Sequence, residues 1–174
     1  SVVLEGLKRL EYRGYDSAGI AYFSHAVIEI KRLEGKVKDL VSLVGTNRPS
    51  SHTAIGHTRW ATHGRPSEEN AHPHRSDGVV IVHNGIIENY LELKKSLIAE
   101  GYAFTSDTDT EVLCHLIRKY IKDHPLEEAV RHALKSVKGA YAIAVIHEKE
   151  EGKIVGVKKD SPLCVGLGQG EYFL

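Results

Sequence analysis

The feature that most constrains the fold is a set of short apolar segments. The longest uninterrupted one has seven residues, 140–146, whereas a membrane-spanning helix needs roughly 18. Residues 53–55 and 79–82 carry no charge, and the second of these segments is apolar throughout. Short uncharged segments favour strands that are covered on both faces, so we expect them to lie inside a sandwich.

After a first helix, the sequence signals mainly strands, then three helices, then strands again. Apolar spacing predicts a first helix over residues 2–10, which Gly14 ends. Four further helices are predicted, three of them from start signals: residues 36–44 and the segments that open at Asn89, Thr108 and Pro125. The predicted strands are bounded by helices or turn residues: 17–23, 27–33, 53–55, 79–82, 140–147, 153–158, 163–167 and 171–174. This order indicates one α+β domain over residues 1–174, with two sheets and helices outside them.

The charge and the cysteine content limit the range of possible functions. Lys plus Arg and Asp plus Glu both number 23, so the formal net charge is zero, and no electrostatic attraction to nucleic acid or to an anionic membrane is expected. A small molecule is therefore the expected ligand. Cys114 and Cys164 do not form the disulfide framework of a secreted scaffold, which favours a reducing, cytoplasmic setting. Both cysteines have apolar neighbours and are predicted to be packing residues rather than nucleophiles.

Residues 57–64 mix Arg, Trp, Thr and His directly after an apolar strand, which predicts a binding loop. The planar guanidinium of Arg59 suits a carboxylate, so Arg59 is the candidate for the anionic end of a small substrate. The competing interpretation places Trp60 in the core and Arg59 in solvent. Six of the eleven histidines also lie in one part of the chain: His52, His57, His63, His72, His74 and His83. A hydrolytic zinc site is a weak alternative for them, because no pair has the HExxH arrangement and no metal is expected.

Asn84-Gly85 supports two interpretations. The dipeptide is the commonest signal for a two-residue hairpin turn. Few residues separate it from the helix that opens at Asn89, however, which leaves little room for a matching strand. The alternative uses the Asn84 side-chain amide and the Gly85 backbone N–H as the two donors of an oxyanion hole.

Residues 106–111 open a helix, and acidic residues there complement the helix dipole. This explanation suffices for Asp107 and Glu111. Asp109 would differ if it pointed into a cleft, where it would hold a substrate ammonium and balance Arg59. The sequence pattern favours neither interpretation of Asp109 over the other. No serine or threonine shows the nucleophile elbow of a hydrolase.

Five ordered motifs carry a resemblance to a known family: RGYDSAG at 13–19, HTRWATHG at 57–64, NAHPH at 70–74, HNG at 83–85 and SDTDTE at 106–111. Over essentially the whole chain they resemble the glutaminase domain of glutamine:fructose-6-phosphate aminotransferases (glucosamine-6-phosphate synthases), which are class II glutamine amidotransferases. The resemblance implies the four-layer αββα sandwich of the N-terminal nucleophile (Ntn) hydrolases, without its first strand, and no cofactor.

The resemblance also implies a chemistry. A cysteine at the mature N-terminus would attack the side-chain amide of L-glutamine, with its own α-amino group as base. Asn84 and Gly85 would hold the oxyanion, and the products would be glutamate and ammonia. The remaining implied site residues bind the substrate or support the nucleophile loop: Arg59, Thr62 and His63 for the α-carboxylate, Asp109 for the α-ammonium, Trp60 for closing the site, and Arg13 near the nucleophile. In the parent enzyme a sugar isomerase domain would use the ammonia to convert fructose 6-phosphate into glucosamine 6-phosphate.

The sequence departs from the family pattern at the nucleophile, because the N-terminal cysteine of the family is not in it. Position 1 is Ser and aligns inside the first helix of the family, so we expect residues 1–174 to be truncated at both ends. We expect this chain to bind glutamine weakly and to hydrolyse none, while the longer parent is competent; a homodimer of the parent is left open. The alternative function is a non-catalytic glutamine-binding module that has lost its nucleophile and keeps the contacts of Arg59 and Asp109.

Overall fold

The computed structural model describes residues 2–14, 16–45, 51–60 and 64–174. The helices are α1 Val2–Leu10, α2 Val37–Val44, α3 Tyr90–Ala99, α4 Asp109–Ile121 and α5 Leu126–Leu134, with a short 3₁₀ turn at Glu11–Arg13. The strands are β1 Ser17–Ser24, β2 Val27–Glu34, β3 Ala54–Arg59, β4 His74–Ser76, β5 Val79–Ile87, β6 Gly139–His147, β7 Val155–Lys159, β8 Gly166–Leu167 and β9 Tyr172–Phe173. No helix in these ranges is long and apolar enough to cross a membrane.

The strands form two antiparallel sheets that face each other. The first sheet has the order β2-β1-β3 and the second β4-β5-β6-β7, while β8 and β9 pair separately. Along β1, Ile20 packs toward α1 and α2, whereas Phe23 packs between the sheets against Val80 of β5. This alternation follows from the two-residue period of a strand.

The second sheet is covered on its other face by helices. Val79 and Ile81 of β5 pack with Leu113 of α4 and Val130 of α5, and all four are almost fully buried. Residues 79–82 therefore bury both faces, as their uncharged pattern predicts. The resulting order of helices, sheet, sheet and helices is the predicted α+β sandwich of four layers.

Two strands are longer than predicted. β3 pairs with β1 as far as Ser17 opposite Arg59, so residues 57–59 lie in a strand and not in the predicted loop. β5 pairs with β6 as far as Ile87 opposite Gly139. Because Asn84 and Gly85 face β6 inside this ladder, the hairpin-turn interpretation of Asn84-Gly85 is wrong. In both strands, ladder hydrogen bonds continue through polar residues that the hydrophobic pattern treats as strand ends.

The two cysteines have different environments. Cys114 is fully buried in α4, and its thiol contacts the backbone oxygens of His74 and Val79 at 3.7 and 3.4 Å. Burial raises the pKa of the Cys114 thiol, which confirms a packing residue without nucleophilic character. Cys164 is exposed and precedes β8, so its prediction as a buried strand residue is wrong. β8 begins only at Gly166 because its pairing with β9 covers two residues.

Candidate active site

A cleft of about 420 Å³ lies where β3, β5 and the first turn of α4 meet. β3 and β5 belong to different sheets, and their polar ends reach the cleft together with the start of the helix that covers β5. The 161–162 segment closes another wall. The cleft brings together the predicted residues of the described chain whose side chains or backbone could contact a ligand: Arg59, Trp60, Asn84, Gly85 and Asp109.

Arg59 lies at the end of β3 and is only 4% exposed. Its Nη2 donates a hydrogen bond to the Gly64 backbone oxygen at 3.3 Å. Burial lowers the pKa of Arg59, while the negative charges of Asp16 and Asp109 oppose that shift. Since a guanidinium stays protonated in proteins, the cleft wall keeps a positive charge. The interpretation of Arg59 as a solvated surface charge is wrong.

Asp109 begins α4 and is also 4% exposed. Its Oδ2 accepts a hydrogen bond from the Ile87 backbone N–H at 2.8 Å, which ties the start of the helix to the end of β5. The positive end of the helix dipole stabilises a carboxylate at this position. Asp109 thus both complements the helix and lines the cleft, and it supplies a negative charge on the cleft wall.

Asn84 and Gly85 lie side by side in β5 at the cleft. The Asn84 Oδ1 lies 2.8 Å from the Nε2 of His57 in β3, so this contact joins the two sheets. Gly85 has a φ of +127°, and a Cβ there would overlap the backbone oxygen of Ala140 in β6. Only glycine therefore fits at position 85, which lets the backbone of β5 form one wall of the cleft directly.

Trp60 follows β3 and is 72% exposed, so its interpretation as a core anchor is wrong. Its ring lies against Gly14, which has a φ of +131° and leaves no room for a Cβ beneath the indole. Trp60 thus forms a rim of the cleft. Thr62 and His63 lie outside the described residues, as does the side chain of Arg13, whose backbone ends the short 3₁₀ turn.

The inner wall of the cleft belongs to a polar cluster that the sequence did not reveal as one unit. Its members are buried, and all but His74 line the cleft: His57, His72, His74, His83, Thr108 and Thr110. The Thr110 hydroxyl lies 2.9 Å from both His72 Nε2 and His83 Nδ1, and the Thr108 hydroxyl lies 3.1 Å from His74 Nε2. The ring centroids of His57 and His72 are 4.3 Å apart. The closeness of the histidines in the sequence could have indicated this cluster, but nothing in the sequence singles out the two threonines.

Three histidines of the polar cluster, His57, His72 and His74, are neutral at physiological pH. Burial lowers the pKa of His57 to about 4 and that of His74 to about 3, and it lowers the pKa of His72 as well. Neutral imidazoles act as one donor and one acceptor each, which suits hydrogen bonding inside a protein. Within the described ranges, no group of three or more His, Cys, Asp or Glu side chains is arranged to hold a metal ion.

Glu111 is buried in the first turn of α4, next to Thr110, and its predicted role as a simple helix-dipole charge is incomplete. Its carboxylate accepts hydrogen bonds from the backbone N–H groups of Thr105 and Ser106 at 2.8 and 2.7 Å. Burial raises the pKa of Glu111, but the His115 ring 3.6 Å from Oε1 and the hydrogen bonds from Ser106 and Thr105 outweigh it and lower the pKa overall. Glu111 therefore fixes the segment before α4 onto the helix that carries Asp109.

Comparison with known proteins gives the class to which this fold and cleft belong. A family model described as a glutamine amidotransferase domain matches residues 57–173. The chain belongs to this family. The match includes the end of β3 from residue 57, β5 and the start of α4, which form the cleft.

The relatives make the class more specific. Glutamine–fructose-6-phosphate aminotransferases (isomerizing) of Acinetobacter baylyi, Thermus thermophilus and Methanothermobacter thermautotrophicus are 52%, 53% and 53% identical to this chain. Each alignment covers 99% of this chain but only 28%, 29% and 30% of the relative, respectively. The chain thus spans less than a third of the length of the curated relatives that it matches.

Two solved structures share the fold. Glutamine phosphoribosylpyrophosphate amidotransferase from B. subtilis has a TM-score of 0.71 and 30% identity, over 83% of this chain and 32% of that one. A structure described as the allosteric regulatory enzyme of purine biosynthesis has a TM-score of 0.74 and 31% identity, over 84% and 32% of the two chains. The four-layer sandwich of this chain is therefore that of the Ntn amidotransferases.

Proposed function

We propose that this chain belongs to the glutaminase part of a glutamine:fructose-6-phosphate aminotransferase, and that the full-length enzyme hydrolyses glutamine to glutamate and ammonia. The observation that carries the proposal is the pair of buried opposite charges, Arg59 and Asp109, on the wall of one cleft beside Asn84 and Gly85. A free amino acid presents a carboxylate and an ammonium on the same carbon. A cleft with one cation and one anion matches that pattern, and its volume of about 420 Å³ lies in the range of small-molecule sites.

Each charge has a proposed partner on the substrate. The Arg59 guanidinium binds the glutamine α-carboxylate through its planar fork, and Asp109 binds the α-ammonium. Because Asp109 Oδ2 is held by the Ile87 N–H, the carboxylate is oriented before the substrate arrives. Thr62 and His63 are proposed to assist Arg59, and Trp60 to close the site over the substrate; Arg13 is proposed to support the loop near the nucleophile.

Asn84 and Gly85 are proposed to stabilise the reaction's negative charge. A thiolate attacks the side-chain carbonyl carbon of glutamine, a C–S bond forms and the carbonyl oxygen becomes an oxyanion. Its two proposed donors are the Asn84 Nδ2 and the Gly85 backbone N–H. The C–N bond then breaks, ammonia leaves with a proton from the base, and water hydrolyses the thioester to glutamate.

The nucleophile is proposed to be an N-terminal cysteine of the full-length protein. Cys114 is fully buried with a raised thiol pKa, and Cys164 does not line the cleft. The resemblance to the amidotransferases assigns the attack to a processed N-terminal cysteine, with its α-amino group as the base. We propose that residues 1–174 alone bind glutamine without hydrolysing it.

The activity of the whole protein follows from the same resemblance. We propose that residues 1–174 form a single domain of a longer cytoplasmic enzyme, whose sugar isomerase domain receives the ammonia and forms glucosamine 6-phosphate from fructose 6-phosphate. The relatives that carry this enzyme's name match the chain over under a third of their length. The remainder of each relative leaves room for such a second domain.

Ammonia release from glutamine by the full-length protein tests the proposal. We expect release that stops when a glutamine-like electrophile attaches to one cysteine, and peptide mapping should place that cysteine at the N-terminus. A protein that binds glutamine but releases no ammonia would support the non-catalytic binding module instead. Release that continues after complete labelling of the N-terminal cysteine would remove it as the nucleophile.

A further inference from the structure

His57 is the link between the two sheets at the cleft. It lies in β3, is 8% exposed, and its Nε2 is 2.8 Å from the Oδ1 of Asn84 in β5. An amide oxygen can only accept, so His57 Nε2 must carry the hydrogen. A neutral imidazole has one N–H, which leaves Nδ1 without a proton. His57 Nδ1 is buried and has no hydrogen-bond partner in the described part of the chain, in agreement with that tautomer.

The contact decides which end of the Asn84 amide faces a ligand. With Oδ1 held by His57, the Nδ2 group is the end left available at the cleft. Rotation of the amide by half a turn would place Oδ1 toward the cleft instead. An oxygen in that position would repel an oxyanion, whereas an N–H donor stabilises it.

We propose that His57 is a positioning residue for the glutaminase reaction, because its Nε2–H holds the Asn84 side chain with the donor end toward the developing oxyanion. This inference rests on the proposed function and adds a residue to it. His57 itself acts through Asn84 and does not need to touch glutamine.

The surroundings of His57 fit a positioning role. Its ring packs on His72, whose Nε2 contacts the Thr110 hydroxyl. The same hydroxyl contacts His83, which precedes Asn84 in β5. The contacts therefore form a closed path from His57 through His72, Thr110 and His83 back to Asn84. Because Thr110 adjoins Asp109, this path also sets the proposed oxyanion donor relative to the proposed ammonium ligand.

Steady-state kinetics on the full-length enzyme separate positioning from binding. We expect His57→Leu to lower kcat for ammonia release about 10- to 100-fold, less than the roughly 10²–10³-fold loss typical of removing an oxyanion donor itself. The glutamine KM should change less than about threefold, because Arg59 and Asp109 are untouched. His57→Gln should recover most of kcat, since the glutamine side-chain nitrogen can donate to Asn84 Oδ1 from about the place of Nε2.

A second measurement uses ligands rather than rates. Glutamate γ-semialdehyde can add a cysteine thiolate to form a tetrahedral oxyanion, whereas glutamate cannot. We expect His57→Leu to weaken inhibition by the aldehyde about 10-fold or more and to leave inhibition by glutamate unchanged. Equal weakening of both ligands would overturn the proposal and indicate a distorted cleft.

A double-mutant cycle with Asn84→Ala tests whether the effect passes through Asn84. In the Asn84→Ala enzyme, His57→Leu should reduce kcat less than about threefold further; fully additive losses would contradict the proposal. His147→Gln serves as the buried-histidine control and should keep kcat. His147 is buried in β6 and lies five residues from Ala142, the partner of Asn84, or about 17 Å along the strand. Thermal unfolding checks that every variant is folded.

Two different results would refute the proposed function and the role of His57. A wild-type protein that releases no ammonia would refute the proposed function. A wild-type enzyme that releases ammonia, with an unchanged kcat in folded His57→Leu, would refute only the role of His57.

Discussion

Two parts of the interior differ in what they bury. Between the second sheet and helices α4 and α5, most of the buried side chains are apolar, and they include Ile81, Leu113 and Val130. Toward the cleft, the polar cluster buries imidazoles and hydroxyls at a similar depth. Helix α4 takes part in both, because its first turn carries Thr110 and its later turns carry Leu113.

The apolar part mainly stabilises the fold, whereas the polar cluster mainly fixes the orientation of side chains at the cleft. Apolar contacts are non-directional and contribute roughly 25 cal/mol per Å² of buried area. Buried hydrogen bonds contribute little net stability, but they restrict side chains to one orientation because an unpaired buried polar group is costly. We therefore expect substitutions in the apolar part to change the free energy of unfolding, and substitutions at the cleft to change catalysis.

Removing the proposed oxyanion donor should have the largest effect. We expect Asn84→Ala in the full-length enzyme to lower kcat for ammonia release roughly 10²–10³-fold. The free energy of unfolding should fall by about 1–3 kcal/mol, because the buried His57 Nε2–H loses its acceptor. Steady-state kinetics and urea unfolding measure the two quantities. A kcat within a factor of three of wild type would exclude Asn84 from the oxyanion site.

The opposite result is expected for Leu113, which is fully buried in the apolar part. Leu113→Ala removes apolar contacts and leaves a cavity, so the free energy of unfolding should fall by about 2–5 kcal/mol. The kcat of the folded enzyme at 25 °C should stay within about threefold of wild type. Leu91→Ala, at a site 67% exposed on α3, is the control and should change stability by less than about 0.5 kcal/mol. A large loss of kcat in Leu113→Ala would mean that the two parts are not separable.

Glu111 should give a smaller effect that depends on pH. Its carboxylate pKa is lowered in the folded protein from the ordinary value of 4.5. The stability that Glu111 contributes is therefore present above pH 4.5 and is lost as pH falls below it. We expect Glu111→Gln to destabilise the protein by on the order of 2 kcal/mol at pH 7. The difference from wild type should shrink as pH decreases below about 4.5.

Urea unfolding at several pH values measures this difference. Glu92→Gln, at an exposed position of α3, is the control and should track wild type at each pH. A constant gap between wild type and Glu111→Gln down to pH 3 would contradict the lowered pKa.

The smallest effect is expected at the surface. Lys119 pairs with Glu100 at 2.7 Å, and both side chains are partly exposed. Lys119→Ala should lower the free energy of unfolding by less than about 1 kcal/mol, and added salt should reduce the difference. A loss above about 2 kcal/mol would show that α3 and α4 depend on this ion pair more than its exposure suggests.

The sequence predicted those parts of the fold that follow from local patterns. Helix α1 has the predicted bounds, and the hairpin of β1 and β2 is predicted to within one residue at each strand. The starts of α3 and α4 are also where Asn89 and Thr108 predict them. The predicted caps do not form, however, because the Thr108 hydroxyl contacts His74 and the Asn89 side chain bonds the 136–138 backbone.

The parts that sequence reasoning missed depend on partners far along the chain. β3 and β5 continue through His57 and Asn84 because β1 and β6 lie alongside them. Thr110 could not be singled out, since its role comes from His72 and His83 on other elements. Arg59, Asp109, Asn84 and Gly85 were predicted from their chemistry, and the structure brings them into one cleft; their roles toward glutamine stay a proposal.

The most direct test of the central claim is the glutamine KM of the full-length Arg59→Ala enzyme. Loss of a buried charge that pairs with the substrate carboxylate should cost on the order of 3 kcal/mol, or a rise in KM of roughly 100-fold. Arg131→Ala is the matched control, because Arg131 is 70% exposed on α5 and pairs with Glu128. An Arg59→Ala enzyme with the KM of wild type would remove Arg59 from the site and contradict glutamine binding in this cleft.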